Sequence, residues 1–306
     1  MNEVRIESLI DFFNVVLMEH GNLIRNGAES NQMLLFRGQA NKDFKLMPKL
    51  GRGRLFACDN TIFLEERNCI EMAKFLLPNE LTHNLSPVET LAFLQHHGIP
   101  TRLLDVTENS LVALYFACQD PCNEDKDGEV FIFLHNEQDV TNYPIIEALA
   151  DTYRFCNSTW KDIDSFLELV KEQPYFLEHK HLAKDKSGSW VVDVCKEPIF
   201  ILSSFKTMRQ RQQQSRFILF PNKIQVDENN KADFLKYIEP LDKEHPCIVK
   251  RIIIPKNIKK MIVQQLECFG IDERMLFGDN IDQVCHYITE KFNKKIYPEV
   301  TRMIQN

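Results

Sequence analysis

Apolar and polar residues alternate along this chain with two periods, and each period predicts a different kind of element. Segments in which apolar residues recur every three to four positions have the period of an amphipathic helix. We predict helices over residues 4–25, 61–75, 86–98, 109–117, 256–269 and 279–293. Shorter apolar runs bounded by turn residues indicate buried strands. The predicted strands cover residues 33–38, 130–134, 198–203, 216–220 and 247–255.

The predicted helices and strands interleave without a regular strand–helix–strand spacing, which favours the α+β class. Residues 140–190 carry much charge, both tryptophans and no sustained period. We interpret them as a helical insertion that forms a lid and not part of the core. We therefore expect an N-terminal helix over residues 1–30, a main domain over residues 31–293 and a tail over residues 294–306.

Composition and charge narrow the classes of protein. The 306 residues are 44% hydrophobic and 26% charged, as in a globular chain with a sizeable core. A net charge of −7 provides no global basic field for nucleic acid or an anionic membrane, although a local basic patch stays compatible with nucleic acid. The N-terminus lacks the pattern of a signal peptide, and no window has 18 uninterrupted apolar residues. We expect no membrane span.

The number and spacing of the cysteines indicate the redox state of the compartment in which the protein lies. The nine cysteines are scattered singly, without a CxxC pair, which favours free thiols in a reducing environment. We therefore expect a cytoplasmic protein.

Chemically distinctive residues are densest between Gln95 and Asp105, in the run QHHGIPTRLLD. A buried strand does not tolerate an unpaired arginine or aspartate, so one interpretation is a buried ion pair between Arg102 and Asp105. The alternative is a hydrogen-bonded turn that joins a helix to a strand. His96 and His97 have no cysteine or carboxylate at ligand spacing, so we expect no metal.

Several motifs together resemble the FRG domain family, named for its Phe-Arg-Gly motif. The family pattern starts with FRGQ, here Phe36 to Gln39, followed by Pro48 and Arg52. It continues with QHHG(L/I)PTRLLDWT and N-(P)-L-ALYFA, which residues 95–117 match closely. These motifs are long enough to be specific.

Later elements extend the resemblance to residues 34–285. The family's Arg-x-x-x-Gln-x-Gly-x-Phe element is matched by Arg209, Gln213 and Phe217, and its C-terminal strand and helix end by residues 251–255 and 266–271. The chain departs from the family pattern at two positions. Val106 stands where the family has tryptophan, and Ser215 stands where it has glycine.

A more distant similarity, to ADP-ribosyltransferases of the Arg-Ser-Glu type, implies an activity. Their first motif, Arg-Gly at the end of a strand, is similar to Arg37 and Gly38. Their second, a Ser/Thr before an A-x-x-F-A helix, is similar to Thr107 with residues 113–117. Their third supplies a carboxylate on a late strand, where this chain offers Gln213. The implied fold is a mixed central sheet of ADP-ribosyltransferase-like type, flanked by helices.

This similarity implies NAD as substrate and Arg37, Thr107 and Gln213 as catalytic residues. The guanidinium of Arg37 suits a pyrophosphate or ribose phosphate, and the alternative is a structural salt bridge. Thr107 holds the nicotinamide ribose, orients a catalytic side chain, or is the N-cap of the next helix. Gln213 supplies no charge, so Asp105 is an alternative source of the carboxylate that stabilises an oxocarbenium-like state.

Further residues are assigned to substrate binding. They are Gly38, Gln39, Gln95, His96, His97, Arg102, Asp105, Tyr115 and Arg209. Although these residues and Gln213 are far apart along the chain, we expect the polar ones to converge with Arg37 on one cleft. Arg52 and Arg54 lie in a basic loop near Arg37, which suits contact with a phosphate or a nucleic acid, or a solvated loop.

Two classes of function stay open. The resemblance implies an NAD-dependent ADP-ribosyltransferase-like effector of bacterial or phage conflict, a toxin or a defence component. Its acceptor would be a protein or a nucleic acid, and its partner an antitoxin or another defence component. The second class is a non-catalytic module on the same fold that binds a nucleotide, RNA or protein. The missing third-motif glutamate favours this second class.

Overall fold

A computed structural model describes residues 3–25, 32–52, 65–81, 85–136, 144–155, 162–179, 188–201 and 207–277. Over these ranges the chain is a mixture of helices around a mixed sheet, which confirms the predicted α+β class. The predicted helix at 279–293 and the tail at 294–306 lie outside the described residues.

Strands form at all five predicted apolar runs, and four further described strands were not predicted. The described strands are β1 (Glu3–Arg5), β2 (Gln32–Gln39), β3 (Leu103–Thr107), β4 (Gly128–Asn136), β5 (Ile199–Ile201), β6 (Ser215–Leu219), β7 (Ile224–Val226), β8 (Ala232–Phe234) and β9 (Ile248–Ile254). Seven of them form one sheet in the order β1-β9-β4-β2-β3-β6-β5. In that sheet β1 and β9 are parallel, and the other neighbouring pairs are antiparallel. Strands β7 and β8 form a separate hairpin. The strands that were not predicted are β1, β3, β7 and β8.

Helices surround this sheet. They are α1 (Leu9–Arg25), α2 (Glu66–Leu76), α3 (Pro87–His96), α4 (Ser110–Cys118), α5 (Pro144–Ala150), α6 (Thr152–Phe155), α7 (Ile163–Val170), α8 (Gly188–Val194), α9 (Met208–Gln212), α10 (Lys259–Cys268) and α11 (Glu273–Phe277). The start of α3 is defined by a capping box, in which the Ser86 side chain accepts from the Glu89 amide and the Glu89 carboxylate accepts from the Ser86 amide. Reciprocal bonds of this kind satisfy two amides at a helix start that lack helical partners.

The first residues differ from the prediction of a helix over residues 4–25. Strand β1 pairs in parallel with the edge of β9, with Val4 opposite Ile252, and α1 begins only at Leu9. Three residues are too few to show a strand period, so the helical period that follows them obscured the strand. The predicted boundary at residue 30 is therefore wrong, because β1 belongs to the main sheet and the buried Phe12 of α1 packs in its core.

Alternation along the strands divides the core between the two faces of the sheet. On β2 the buried Phe36 packs with α4 and α10, whereas the buried Leu35 packs on the opposite face with Leu46 and Leu50. Helices α3, α5 and α7 cover the β3–β6–β5 end of the sheet. The loop after β2 covers the other face. The site described below lies where these layers meet, between β2 and β3.

Residues 140–190 are part of the core in every stretch that the structure describes, so the prediction of a lid is wrong there. All seven residues of α5 are buried, and Phe166 and Phe176 are fully enclosed in the cluster that covers the sheet. Some charges that favoured a lid lie on outward-facing positions, such as the exposed side chain of Glu168, whereas Glu147 and Asp151 are themselves buried. The predicted helical character is confirmed for 144–150, 152–155 and 163–170.

Glu147 on α5 makes stability depend on pH. It is 7% exposed, and its carboxylate accepts the amide of Val88 at 2.9 Å. Burial raises the pKa of Glu147 to about 7. Because an unfolded glutamate titrates near pH 4.3, the folded state binds the proton more tightly between about pH 4.5 and 7. This group therefore lowers the free energy of unfolding as pH rises through that window.

Replacing Glu147 with glutamine removes the charge and keeps an acceptor for the Val88 amide. We expect the variant to exceed the wild type in free energy of unfolding by roughly 2–3 kcal/mol at pH 8 and to match it near pH 4.5. Denaturant titrations at the two pH values measure this difference. The control is Glu71→Gln, at an exposed position on α2, which we expect to change neither value. Identical curves for Glu147→Gln and wild type at pH 8 would contradict the assignment.

Among the described helices, none is both long and apolar enough to cross a bilayer.

Candidate functional site

A cavity of about 430 Å³ opens between β2 and β3. The two strands pair at one position, Phe36 with Thr107. Beyond it, residues 37–39 pair only with β4, and residues 103–106 only with β6. Helices α3, α4 and α9 and the loop after β2 close the sides. This volume lies in the range of small-molecule sites.

Most of the predicted site residues line this cavity. Those in its wall are Arg37, Gly38, Gln39, Gln95, His96, Asp105, Thr107, Arg209 and Gln213. Three others, His97, Arg102 and Tyr115, are not among its lining residues. The expected convergence is thus confirmed for Arg37, Gln95, Asp105 and Gln213, and it is wrong for His97 and Arg102.

Gly38 lets helix α4 cross directly over β2. A β-carbon at Gly38 would lie 1.8 Å from the carbonyl oxygen of Ala113 and 2.8 Å from the amide nitrogen of Ala117. Any side chain at this position would force the helix away from the strand. The glycine of the FRG motif therefore sets the distance between the floor of the cavity and one of its walls.

Arg37 lies on β2 just beyond the single pair to β3. Its Nη1 donates to the carbonyl oxygen of Asp105 at 2.5 Å, and its buried Nε has no hydrogen-bond partner within the described residues. Burial lowers the pKa of Arg37 to about 10, the Asp105 carboxylate opposes that change, and the Arg52 guanidinium adds to it. Arg37 therefore stays charged at neutral pH. No described carboxylate side chain forms the structural salt bridge that was its alternative role.

Asp105 keeps an exposed carboxylate at the mouth of the cavity. Its Oδ2 accepts from Nε2 of Gln95 at 2.9 Å. The same Gln95 nitrogen donates to the carbonyl of Leu103, and the Gln95 oxygen accepts from the Thr101 hydroxyl at 2.5 Å. Gln95 is thus held by β3 and orients the carboxylate of Asp105.

The predicted ion pair between Arg102 and Asp105 is wrong. Residues three apart in an extended strand point to opposite faces, and Arg102 points away from the cavity. Its guanidinium donates through Nε and Nη2 to the carboxylate of Glu66 at the start of α2, and through Nη1 to Thr152 and Asn222. Arg102 is 1% exposed and Glu66 3%. This residue joins elements of the core.

Thr107 links β3 to the segment before β6. Its hydroxyl donates to the carbonyl of Gln213 at 2.6 Å and accepts from the amide of Asn109 at 2.9 Å. The N-cap of α4 is Asn109, whose side chain accepts from the amides of Leu111 and Val112. The N-cap role considered for Thr107 is therefore wrong, and its hydroxyl orients the backbone of Gln213.

Gln213 lies at the C-cap of α9, and its Nε2 donates to the carbonyl of Leu276 at 3.1 Å. The residue after it, Gln214, has a φ of 46°, whereas Ser215 is a regular residue of β6 opposite Thr107. Serine in place of the family's glycine therefore needs no special backbone conformation here. The turn next to Gln213 is made at Gln214.

The two histidines lie at the end of α3 with their ring centroids 4.8 Å apart, but only one of them lines the cavity. Gly98 has a φ of 87°, and the amide of Ile99 bonds back to the carbonyl of Leu94. This is the Schellman type of helix end, which glycine adopts without strain. His96 lines the cavity, with Nδ1 3.3 Å from the Thr207 hydroxyl, whereas the exposed His97 lies against the ring of Phe93.

Tyr115 and Arg209 complete the predicted set. Tyr115 is 2% exposed and belongs to the core cluster under α4. Arg209 lines the cavity, and its guanidinium lies 4.6 Å from the ring centroid of Phe277. Arg209 therefore brings a third guanidinium to the cavity, after Arg37 and Arg52.

Four glutamines of the described part of the chain have a buried amide atom without a hydrogen-bond partner, and two of them are in the cavity wall. The atoms of these two are Gln39 Oε1 and Gln210 Nε2. Gln210 was missed by the sequence analysis, although its place three residues after Thr207 has the pattern of a capping box. In that box the amide of Thr207 donates to Gln210 Oε1 at 2.9 Å, so Nε2 is the atom left for a ligand.

The cavity therefore combines three guanidiniums, one exposed carboxylate at its mouth and unpaired amide atoms. Such a set suits an anionic, hydrogen-bonding ligand. Within the described ranges, no group of three or more histidine, cysteine, aspartate or glutamate side chains is arranged to hold a metal ion.

Comparison with known proteins shows which family the elements around this cavity match. Residues 32–126 match a family model described as FRG domain, while no curated protein and no solved structure matches the chain. The match contains β2, α3, β3 and α4, which carry Arg37, Gln95 and Asp105. The later motifs at 209–217 and 251–271 lie outside it. Residues 32–126 of this chain are thus an FRG domain.

Proposed function

We propose that the cavity binds NAD and cleaves its nicotinamide–ribose bond, as in an ADP-ribosyltransferase-like enzyme. One observation carries the proposal. The cation of Arg37 lies in the gap between β2 and β3, is hydrogen bonded there to a backbone carbonyl, and has the exposed carboxylate of Asp105 as its neighbour. A permanent cation beside an available carboxylate is the pairing that this chemistry needs.

The cavity residues fit the substrate in charge and in hydrogen bonding. The carboxylate of Asp105 interacts electrostatically with both Arg37 and Arg52 and opposes the lowering of the pKa of each by burial. Two neighbouring guanidiniums suit the two phosphates of a dinucleotide. The unpaired atoms of Arg37, Gln39 and Gln210 need partners that a bound ligand supplies. The sequence analysis noted Arg52 as part of the FRG pattern and of a basic loop, without assigning it to the site.

The bond between ribose C1′ and the pyridinium nitrogen breaks in the proposed reaction. Its electron pair goes to that nitrogen, which neutral nicotinamide carries away. The carboxylate of Asp105 stabilises the oxocarbenium-like ribose. An acceptor hydroxyl or water then forms the new bond to C1′ and loses its proton to solvent. In this mechanism Asp105 supplies the negative charge that the third motif supplies in ADP-ribosyltransferases. This chain has the uncharged Gln213 at that motif.

The arrangement of the three motifs also supports an ADP-ribosyltransferase-like fold. Arg37 and Gly38 lie near the end of β2, Thr107 ends β3 directly before α4, and Gln213 lies just before β6. These three strands are neighbours in the sheet. We infer from family resemblance alone a role in bacterial or phage conflict, with a protein or nucleic acid as acceptor.

Two variants test the proposal. Arg37→Met is expected to weaken NAD binding by about one to two powers of ten in calorimetric titrations, with little change in melting temperature because Arg37 holds no described carboxylate. Asp105→Asn keeps an acceptor for Gln95 and is expected to bind NAD normally while releasing nicotinamide about 10²- to 10³-fold more slowly. The matched control is Asp43→Asn, an exposed residue outside the cavity. Nicotinamide release that survives Asp105→Asn unchanged would exclude the proposed mechanism.

A second candidate, a non-catalytic nucleotide-binding module, is favoured by one contact. The side chain of Gln213 is bonded to the carbonyl of Leu276 and carries no charge. If NAD binds with the expected dependence on Arg37 and no nicotinamide is released with any acceptor, the binding module is the correct function.

A further inference from the structure

The side-chain amide of Gln39 has its orientation determined by its neighbours. Its Nε2 donates to the carboxylate of Glu129 at 3.0 Å and to the carbonyl oxygen of Phe44 at 3.1 Å. A carboxylate and a carbonyl only accept hydrogen bonds, so the NH₂ group of Gln39 must face them. The amide oxygen is thereby turned to the other side.

The carboxylate of Glu129 is held in place by two ion pairs. Its carboxylate is fully buried and accepts from Lys243 Nζ at 2.6 Å and from Arg251 Nε at 2.8 Å. The two cations compensate its charge. Gln39 therefore cannot reverse its amide without turning an oxygen towards a buried carboxylate.

The amide oxygen of Gln39 is consequently available to a ligand in the cavity. The residue is 4% exposed, its Oε1 has no hydrogen-bond partner in the part of the chain that the structure describes, and it is part of the cavity wall. Buried acceptors are nearly always paired in folded proteins. Gln39 follows Arg37 by two residues on β2, so both side chains lie on the same face of the strand.

We propose that Gln39 is a specificity-determining residue that accepts a hydrogen bond from the nicotinamide carboxamide of NAD. This assignment rests on the function proposed above. Of the donors that NAD carries, the carboxamide is the one attached to the leaving group, and Gln39 shares its strand face with Arg37, whose neighbour is the carboxylate of Asp105. The amide oxygen of Gln39 can only accept a hydrogen bond, so the site selects an N–H donor and offers no hydrogen bond to a carboxylate.

The test compares three ligands with the full-length protein. They are NAD, 3-acetylpyridine adenine dinucleotide, in which a methyl group replaces the amide NH₂, and nicotinic acid adenine dinucleotide, in which a carboxylate replaces the whole amide. In calorimetric titrations we expect the wild type to bind the acetylpyridine analogue about tenfold more weakly than NAD, and the acid analogue more weakly still.

Gln39→Met removes the acceptor and keeps the length of the side chain. We expect it to weaken NAD binding about tenfold and to bring the affinities of NAD and the acetylpyridine analogue within about threefold. A purely structural role would weaken both ligands and keep their ratio. Gln225→Met, at an exposed position on β7, is the matched control and should keep the wild-type ratio.

The outcomes separate this assignment from the proposed function. Equal wild-type affinity for NAD and the acetylpyridine analogue overturns the role of Gln39 and leaves NAD cleavage standing, whether or not Gln39→Met folds. A wild-type preference that Gln39→Met retains also overturns it. If the wild type binds none of the three ligands, the proposed function fails and this assignment fails with it.

Discussion

Replacing Arg102 with methionine is expected to lower the free energy of unfolding by about 3–5 kcal/mol. The change leaves the carboxylate of Glu66, 3% exposed, without its guanidinium partner. It also removes a donor from Thr152 and Asn222. Because the guanidinium joins β3 to α2, α6 and the segment after β6, the loss affects the whole core. Thermal denaturation should show a melting temperature about 10 °C lower.

A second substitution identifies the cause. Changing Glu66 to leucine in the Arg102→Met background removes the unpaired charge, and we expect it to restore part of the lost stability, since buried ion pairs are often replaced by apolar pairs at small cost. Arg5→Met is the control, because its pair with Asp127 has an exposed arginine and contributes at most about 1 kcal/mol. An Arg102→Met protein as stable as the Arg5→Met protein would contradict this account of the core.

Gly38→Ala is expected to cost at least about 3 kcal/mol and to distort the cavity. The added methyl group would overlap the backbone oxygen of Ala113, 1.8 Å away, and helix backbone cannot yield as a flexible side chain does. The free energy of unfolding and the affinity for NAD, measured on the same preparation, should fall together.

The control for this prediction is another glycine in the same protein. A β-carbon added at Gly21, in α1, would have only the end of the Arg25 side chain nearby, at 3.8 Å. Alanine there should leave stability unchanged or raise it by up to about 1 kcal/mol, because alanine favours a helix interior. Equal effects of the two substitutions would show that α4 does not rest on β2 as described.

Some residues of the FRG motifs line the cavity, and others stabilise the fold. Arg37 and Gln39 face the cavity, Gly38 between them permits the contact with α4, and Arg102 lies in the core. Adjacent positions of one strand point to opposite faces, so a contiguous motif serves both the fold and the site. Variants that lose activity at Gly38 or Arg102 should therefore also lose stability, whereas those at Arg37 should not.

Periodicity predicted most of the elements but not their partners. Each predicted strand is present, but β1, β3, β7 and β8 were missed, because strands of three to five residues show little or no period. The lid prediction failed because residues such as Phe166 are enclosed, and because a charged residue in this region does not have to face solvent: Glu168 is exposed, whereas Glu147 is buried. Arg102 was paired with its sequence neighbour Asp105, whereas its partner Glu66 is 36 positions away.

For the candidate site, the motifs identified Arg37, Gln39, Gln95, Asp105 and Gln213 without their geometry. The sequence alone determined the class of fold, five of the nine described strands, most of the longer helices and the FRG domain at residues 32–126, since these depend on local period and on contiguous motifs. Only the tertiary structure decided that β2 and β3 separate beyond one pair, that Asp105 is left available, and that Glu129 orients Gln39. Those features depend on which side chains meet across the chain, and local periodicity specifies which face of an element is buried but not what covers it.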